Sequence, residues 1–230
     1  MAEFLPSDID ALLLTLRLAT STTLVLLVIS PPLAWWLARS QNSLRSVVEA
    51  VVALPLILPP TVLGFYLLLM FSPSNGFGKL WLQLTGSPLV FSFSGLLLAS
   101  ILCSLPFVVQ PLQAAFKQFD TRLLDQAQLL QLNRVQQFFI VVLPLTLPTF
   151  VTAALLAFAH TIGEFGVVLM IGGNLEGETR VLSIALFEHV EALDYAAAHR
   201  LALVLIGFSM VALLLIYGWS SKHHRELLCQ

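Results

Sequence analysis

Long apolar runs alternate with short polar segments along this chain, and the pattern predicts membrane-spanning helices. Five runs carry no Asp, Glu, Lys or Arg over about 20 positions, the length that crosses a bilayer as a helix. They are Leu18–Leu37, Ala50–Pro73, Phe91–Gln113, Phe139–Ile162 and Leu201–Ser221. A further stretch, Gly166–Gly173, is too short to cross and is predicted to be a re-entrant or gate segment. The expected fold class is therefore all-α, a polytopic membrane protein with five transmembrane helices and one short re-entrant segment.

Composition agrees with a membrane environment and narrows the chemistry. Of 230 residues 58% are hydrophobic and 10% are charged, whereas a soluble domain carries about 25% charged residues. We expect a single domain over residues 1–230 that has lipid as its surroundings. The net charge of −2 argues against a nucleic-acid partner, and Cys103 and Cys229 have neither disulfide nor metal spacing. Without a phosphate-binding G-x-x-x-x-G-K-[ST] motif, the chain is not expected to hydrolyse ATP or to hold a cofactor.

Basic residues predict the orientation in the membrane. They gather in the polar segments between the first and second runs, between the third and fourth, and after the fifth: Arg39, Arg45, Lys117, Arg122, Arg134, Lys222 and Arg225. With five spans these segments share one side, which the positive-inside rule assigns to the cytoplasm. The N-terminus is then expected outside and the C-terminus inside.

Proline is frequent in the predicted spans, and Pro59-Pro60 lies in the middle of the second. A proline in a helix interior removes a hydrogen bond and kinks the helix. Kinked helices can line a cavity or move about a hinge, although proline is also simply common in membrane helices. We take Pro59 and Pro60 as candidate pathway residues.

The longest polar segment, residues 117–140, lies between the third and fourth spans. Leu, Gln and Ala favour a helix there, and Leu124, Leu129, Leu132 and Val135 come near helical spacing. This pattern predicts a short amphipathic helix at the cytoplasmic surface. Such a helix rests on lipid headgroups or docks in a groove on a partner protein.

The same segment resembles the cytoplasmic loop of ATP-binding-cassette importer permeases. That loop has the form E-A-A, three residues, G, nine residues, I, one residue, L-P. The matching positions here are Asp125-Gln126-Ala127, Gln131, Val141 and Leu143-Pro144. The resemblance implies that this segment is the coupling helix, which fits a cleft on a cytoplasmic ATPase subunit.

The match departs from the family pattern at three positions. Asp125 replaces Glu, Gln126 replaces Ala, and Gln131 replaces the glycine of the turn. Because glycine tolerates backbone conformations that other residues resist, Asn133 is a candidate to adopt the left-handed conformation instead. These departures are compatible with three alternatives: the ATPase partner is unusual, the coupling to it is weakened, or the chain is an uncoupled paralogue.

Three more stretches resemble the molybdate permease branch, which is close to the sulfate/thiosulfate permeases. They are Leu58-Pro59-Pro60, Gly163-Glu164-Phe165-Gly166 and Gly177-Glu178-Thr179-Arg180. The resemblance covers nearly the whole chain. It implies a type I importer permease in the bacterial inner membrane that works as a homodimer. It also implies a partner ATPase that uses the ATP and a periplasmic oxyanion-binding protein.

Glu164 is the charged residue that most needs an explanation, because a carboxylate near the end of a membrane helix is costly. His160 lies one helical turn before it, so the two side chains can pair. Thr161, Gly163 and Phe165 lie at the same level. A negative side chain repels an oxyanion, which favours a gate or structural lock over substrate contact. A solvated position at the outer interface is the alternative.

Arg180 is one of few basic residues expected outside. It can steer an anion or contact a delivery protein, but pairing with Glu176 or Glu178 is the simpler expectation. Thr179 is expected to cap a short helix over Val181–His189, placed across the outer mouth of the pathway.

Other functions stay open at this point. Sulfate, thiosulfate or tungstate are alternative substrates. An ATP-independent channel or carrier leaves the coupling-loop spacing unexplained, and no nucleophile or metal constellation supports an intramembrane enzyme.

Overall fold

The helices follow the apolar runs, and the first and last of them extend beyond their runs at both ends. The structure is a computed structural model that describes residues 6–228, and the side chains of residues 6–216. In chain order the α-helices are α1 (Pro6–Arg39), α2 (Leu44–Ile57), α3 (Pro60–Phe71), α4 (Gly76–Thr85), α5 (Phe93–Gln118), α6 (Arg122–Leu129), α7 (Arg134–Gln137), α8 (Leu143–Gly163), α9 (Gly166–Gly172), α10 (Leu182–Glu191) and α11 (Tyr195–Leu228). A π-helical segment, Phe138–Val142, joins α7 to α8. The all-α fold class is confirmed.

Within residues 6–216, four helical stretches are long and apolar enough to cross a membrane: α1, α5, the run from α7 through α8, and α11. The second predicted span, Ala50–Pro73, is broken at the prolines that were expected to kink it. It consists of α2 and α3, which meet at an angle of 116°. Counting this bent pair as one broken span gives the expected five.

Proline explains where the second span breaks. A residue before proline is pushed out of the helical region, and both Leu58 (ψ 139°) and Pro59 (ψ 134°) are extended. Pro60 then starts α3, where its missing N–H leaves no helical hydrogen bond unmade. The break therefore lies at the Leu58-Pro59-Pro60 stretch.

The centre of the bundle is formed by α1, α5 and α8, which pack against one another. Ala34, Ala153 and Ala157 are fully buried within this cluster. Small residues of this kind let membrane helices approach closely. Phe116 and Phe150 fill the remaining space with ring centroids 6.3 Å apart. This packing fixes the helices on either side of the 117–140 segment.

The 117–140 segment contains the short helix that was predicted, α6, followed by a turn and a second short helix, α7. Gln131 ends the first helix with φ +57°, a left-handed conformation in the position of the family glycine. The expectation that Asn133 takes this conformation is wrong, since its φ is −72°. Asn133 instead caps α7: its Oδ1 accepts from the Gln136 N–H, and the Gln136 Oε1 accepts from the Asn133 N–H, both at 2.9 Å.

The short apolar stretch after Glu164 forms α9, which lies between α3 and α5. Val167, Val168 and Ile171 are buried there. Gly64 on α3 permits the approach, because a Cβ at that position would lie 3.0 Å from the Cβ of Met170. The helix break between α8 and α9 is thus surrounded by protein, as a re-entrant segment requires.

The loop that leads into α10 differs from its prediction. Val181 and not Thr179 precedes the helix, and no side chain caps it. The Thr179 hydroxyl instead donates to the Gly172 carbonyl at 2.6 Å and accepts from the Leu175 N–H at 3.3 Å. Thr179 therefore closes the 172–179 loop, and α10 begins one residue later than predicted.

Candidate functional site

The segment expected to couple to an ATPase presents both polar and apolar side chains outward. On α6, Ala127 is buried, whereas Asp125 and Gln126 are exposed. Leu129 is 84% exposed and Leu130 is 74% exposed. Leucines this exposed on a segment outside the apolar runs form a surface that a partner protein or a membrane can cover.

The Leu143-Pro144 step connects this segment to the membrane. Pro144 lies in the first turn of α8, where a missing N–H is tolerated. The π-helical turn before it, Phe138–Val142, absorbs one extra residue between α7 and α8. Gln137 is buried and its Nε2 donates to the Leu132 carbonyl at 2.8 Å. The turn and the start of the span are therefore tied to each other.

Glu164 and His160 are brought together as the helical spacing predicted. The Nε2 of His160 lies 3.6 Å from the Oε2 of Glu164. The other carboxylate oxygen accepts from the Val167 N–H in the first turn of α9, at 3.1 Å. Glu164 thus joins the end of α8 to the start of α9, and its side chain is only 11% exposed.

Ser104 on α5 completes this cluster and was not singled out from the sequence. Its hydroxyl lies 3.0 Å from both the His160 Nδ1 and the Thr161 Oγ1. Thr161 also donates to the Ala157 carbonyl, and the Phe107 ring packs against His160 with centroids 4.2 Å apart. The available signal was a hydroxyl within an apolar run, but nothing in the sequence tells which helix it faces. We call Ser104, His160, Thr161 and Glu164 the buried polar cluster.

The Pro59-Pro60 and Gly163–Gly166 stretches meet beside this cluster. A Cβ at Gly166 would lie 2.8 Å from the Cβ of Pro60, so the chain break between α8 and α9 contacts the break between α2 and α3. A Cβ at Gly163 would meet nothing within 4 Å. Phe165 packs on Phe187 of α10 with ring centroids 4.9 Å apart. Two interrupted spans therefore share one junction.

Arg180 is buried and forms ion pairs with glutamates, as the pairing prediction from the sequence expected. Its guanidinium lies 2.7 Å from Glu176 and 2.8 Å from Glu188. The first partner was predicted, but the second is Glu188 rather than Glu178. Asn174 donates to the same Glu188 carboxylate at 3.1 Å. Arg180 holds the 174–180 loop onto α10.

A second buried carboxylate, Asp8, ties α1 to α10. Asp8 is 1% exposed, and its Oδ1 lies 3.0 Å from the Nε2 of His189. Thr15 supports the same contact by accepting the Leu182 N–H at 2.8 Å. The sequence showed Asp8 only as part of an acidic N-terminal stretch, because its partner lies 181 positions away.

Relatives of the chain are membrane components of importers. Residues 30–225 match the family described as binding-protein-dependent transport system inner membrane component. A molybdenum transport system permease protein ModB of Azotobacter vinelandii is 52% identical over 92% of this chain and 93% of its own length. A ModB of Haemophilus influenzae is 36% identical over 97% of both chains. A sulfate transport system permease protein CysT of Escherichia coli is 33% identical over 85% of this chain and 70% of its own length.

Solved structures agree on the fold. A bacterial alginate ABC transporter, in complex with an alginate pentasaccharide-bound periplasmic protein, matches with a TM-score of 0.71 and 20% identity. The match covers 94% of this chain and 78% of that chain. The family match extends over most of the chain, from the second half of α1 into α11. The chain therefore belongs to the binding-protein-dependent transport system inner membrane components, the multi-pass permease subunits of ABC importers.

Proposed function

We propose that this chain is the permease of an ATP-driven molybdate importer. The observation that carries the proposal is the 52% identity to the Azotobacter molybdenum permease along nearly the whole of both chains. Similarity to the sulfate permease is lower and covers less of that relative. Sulfate, thiosulfate and tungstate remain the alternative substrates.

The partner ATPase docks on α6 and the turn that follows it. Asp125 and Gln126 supply the polar contacts, and Leu129 and Leu130 supply exposed apolar surface beside them. An interface with an apolar centre and a polar rim has this composition. Ala127 is buried beneath that surface, and the Leu143-Pro144 step at the start of α8 transmits its movement to the span.

The ATPase side is the cytoplasmic side. Arg39 donates to the Phe119 carbonyl at 3.2 Å, and Glu49 pairs with Arg45 at 3.5 Å and with Lys117 at 3.3 Å. These contacts gather the basic residues at the end of the bundle that carries α6, in agreement with the positive-inside rule. The side chains of Lys222 and Arg225 lie outside the described residues. The N-terminus is then periplasmic and the C-terminus cytoplasmic.

A homodimer encloses the pathway, since one subunit with five spans is small for that task. A periplasmic oxyanion-binding protein delivers the substrate at the end of the bundle that carries Arg180 and α10.

ATP-driven closure of two ATPases displaces the 125–138 segment, and the spans interrupted by proline reorient. Affinity for the anion resides mostly in the binding protein, so this chain needs few substrate ligands and holds no cofactor.

Glu164 acts as a structural lock of the gate. It joins α8 to α9 through the His160 contact and the Val167 N–H, beside the Pro60–Gly166 junction. A carboxylate repels an oxyanion, so a ligand role is disfavoured. Thr161, Gly163 and Phe165 shape the same gate element. Arg180 holds the outer loop in place.

Reconstituted transport tests the substrate. The chain is placed in liposomes with its cognate ATPase and a loaded binding protein, and uptake of molybdate, tungstate and sulfate is followed with ATP hydrolysis. We expect ATP-dependent uptake of molybdate at a higher rate than sulfate. Uptake of sulfate alone would assign the chain to the alternative substrate, and uptake without any ATPase would contradict the importer.

The gate role is tested with Glu164→Gln and Glu164→Ala in the same liposomes. Gln keeps an acceptor for the Val167 N–H but loses the charge, whereas Ala loses both. A lock predicts that Gln retains more transport than Ala, with an unchanged affinity for the anion. A change of apparent affinity in the Gln variant, at an unchanged maximal rate, would indicate substrate contact instead.

A further inference from the structure

A large apolar groove lies between α1 and α8, under the α6–α7 turn. Its volume is about 1060 Å³, slightly above the range in which pockets hold drug-sized ligands, about 300–1,000 Å³. We call it the α1–α8 groove. Its walls include Leu27, Pro31 and Trp35 of α1 and Leu147 and Val151 of α8. None of these residues belongs to the gate or to the surface proposed for the ATPase.

The rim of the groove faces outward from the bundle. Val28 is 73% exposed, Phe139 is 59% exposed and Leu147 is 46% exposed. All three belong to the membrane-crossing stretches, where lipid tails take the place of water. The groove is thus a recess in a lipid-facing surface, and an acyl chain has the chemistry to fill it.

One end of the groove is polar and carries a cation. Gln128, Arg134 and Gln137 line that end. The Gln137 side chain already donates a hydrogen bond to the Leu132 carbonyl, whereas the Arg134 side chain is exposed. Within residues 6–216, the Arg and Lys side chains in ion pairs are Arg45, Lys117 and Arg180, so Arg134 is free for an outside anion.

The aromatic residues at this end match the level of a membrane interface. Trp35 lies over Phe116 with ring centroids 5.1 Å apart, and the Arg39 guanidinium lies 5.0 Å from the Trp35 ring. Tryptophan and basic residues together mark the headgroup level. A ligand in the groove therefore has its tail in the hydrocarbon layer and its head beside Arg134.

We propose that the α1–α8 groove binds one anionic phospholipid of the cytoplasmic leaflet, with an acyl chain along α1 and α8 and its phosphate at Arg134. Basic pockets between membrane helices on the cytoplasmic side recognise such headgroups. The assignment to the cytoplasmic leaflet rests on the orientation proposed above. The acyl chain of a zwitterionic lipid fits the apolar walls equally well, but its headgroup is attracted less strongly to the Arg134 guanidinium.

The groove gives this lipid a link to the coupling segment. Part of the groove wall is formed by Leu124 and Gln128 of α6 and by Arg134 of α7. Asp125 of α6 is exposed and belongs to the surface proposed for the ATPase. A bound lipid then supports the α6–α7 turn from the membrane side. Loss of the lipid loosens the turn without touching the gate.

Native mass spectrometry of the purified full chain tests the site without any transport assay. We expect retention of one phosphatidylglycerol per chain, in preference to phosphatidylcholine. One basic residue near an anionic surface corresponds to about fivefold in affinity, so Arg134→Gln should weaken phosphatidylglycerol retention by about fivefold. Arg122 of α6 is also exposed but does not line the groove, so Arg122→Gln should leave retention within about twofold. Equal effects of the two variants, or equal retention of the two lipids, would overturn the proposal.

A photo-reactive residue distinguishes lipid from a second copy of the chain. Benzoylphenylalanine at Val28, on the rim of the groove, should give a phosphatidylglycerol adduct that Arg134→Gln reduces. The same label at Val211 of α11, which is 56% exposed elsewhere, should give adducts that do not depend on Arg134. Cross-linking of Val28 to a second copy in the presence of lipid would mean that protein fills the groove. Neither lipid assay needs ATP or substrate, so a negative result in them would not contradict the importer proposal. Conversely, a negative transport result would leave the lipid retention unchanged.

Discussion

Pro60 and Gly166 touch at the point where two membrane spans are both interrupted. The Gly166 Cα faces the Pro60 ring so closely that an added Cβ would lie 2.8 Å from the Pro60 Cβ. A proline ring has little freedom to move away, unlike the end of a long side chain. The contact joins the break between α2 and α3 to the break between α8 and α9.

Gly166→Ala should therefore destabilise the protein, by about 1–3 kcal/mol as for other overpacked sites. Gly163→Ala is the matched control, since its Cβ would enter open space at the end of α8. Thermal unfolding in one detergent compares the two. Equal melting temperatures for both variants would show that the junction yields without cost.

The sequence predicted all five spans, because a run of about 20 apolar residues crosses a lipid bilayer as a helix. Four of them are continuous helical stretches in the described residues. It also placed His160 and Glu164 together, since i and i+4 share a helix face. The bend at Pro59 was seen as a kink and not as a break of 116°. The second half of this broken span, α3, packs on α9, which comes from a distant part of the chain, and no local pattern predicts that contact.

Contacts between distant segments were the other part that sequence reasoning missed. Ser104 meets His160 across 56 positions, and Asp8 meets His189 across 181. No periodicity connects such residues. The choice between Gln131 and Asn133 for the left-handed turn failed for a different reason: residue preference favoured Asn133, but that residue is already used as the cap of α7.

Gln131→Gly should stabilise the coupling segment. A non-glycine residue at φ +57° carries a cost of about 1–2 kcal/mol, which glycine avoids. Part of that gain is offset by the greater freedom of glycine in the unfolded chain. Hydrogen exchange of the α6–α7 amides should slow in Gln131→Gly. Gln126→Gly, in the middle of α6, should accelerate it, because glycine destabilises a helix interior by about 1 kcal/mol. Faster exchange in both variants would contradict the assigned turn.

Ser104→Ala should destabilise the buried polar cluster by about 0.5–2 kcal/mol, because it leaves the His160 Nδ1 without its partner. Ser100→Ala is the control one turn earlier on the same helix. Ser100 is also buried, but its hydroxyl contacts no hydrogen-bond partner among the described residues. Chemical unfolding of the two variants measures the difference. A larger loss for Ser100→Ala than for Ser104→Ala would refute the cluster as a stabilising unit.

Arg180→Lys should loosen the 174–180 loop. Lysine keeps the charge but cannot reach Glu176 and Glu188 with the planar fork of a guanidinium. We expect a loss of about 1–3 kcal/mol and faster proteolysis of the loop. Arg122→Lys, at an exposed site, should change neither. Unchanged proteolysis of Arg180→Lys would mean that charge alone holds the loop.

In the proposed mechanism, Asp125 and its helix couple this permease to an ATPase. The most direct test is ATP-driven molybdate uptake by liposomes that contain the chain, its cognate ATPase and the loaded binding protein. Asp125→Arg is compared with Asp10→Arg, the same charge change at an exposed site on α1, far from α6. We predict that Asp125→Arg inserts normally but loses uptake and ATPase binding, while Asp10→Arg keeps both. Full uptake with Asp125→Arg, or equal loss in both variants, would rule out this coupling role of α6.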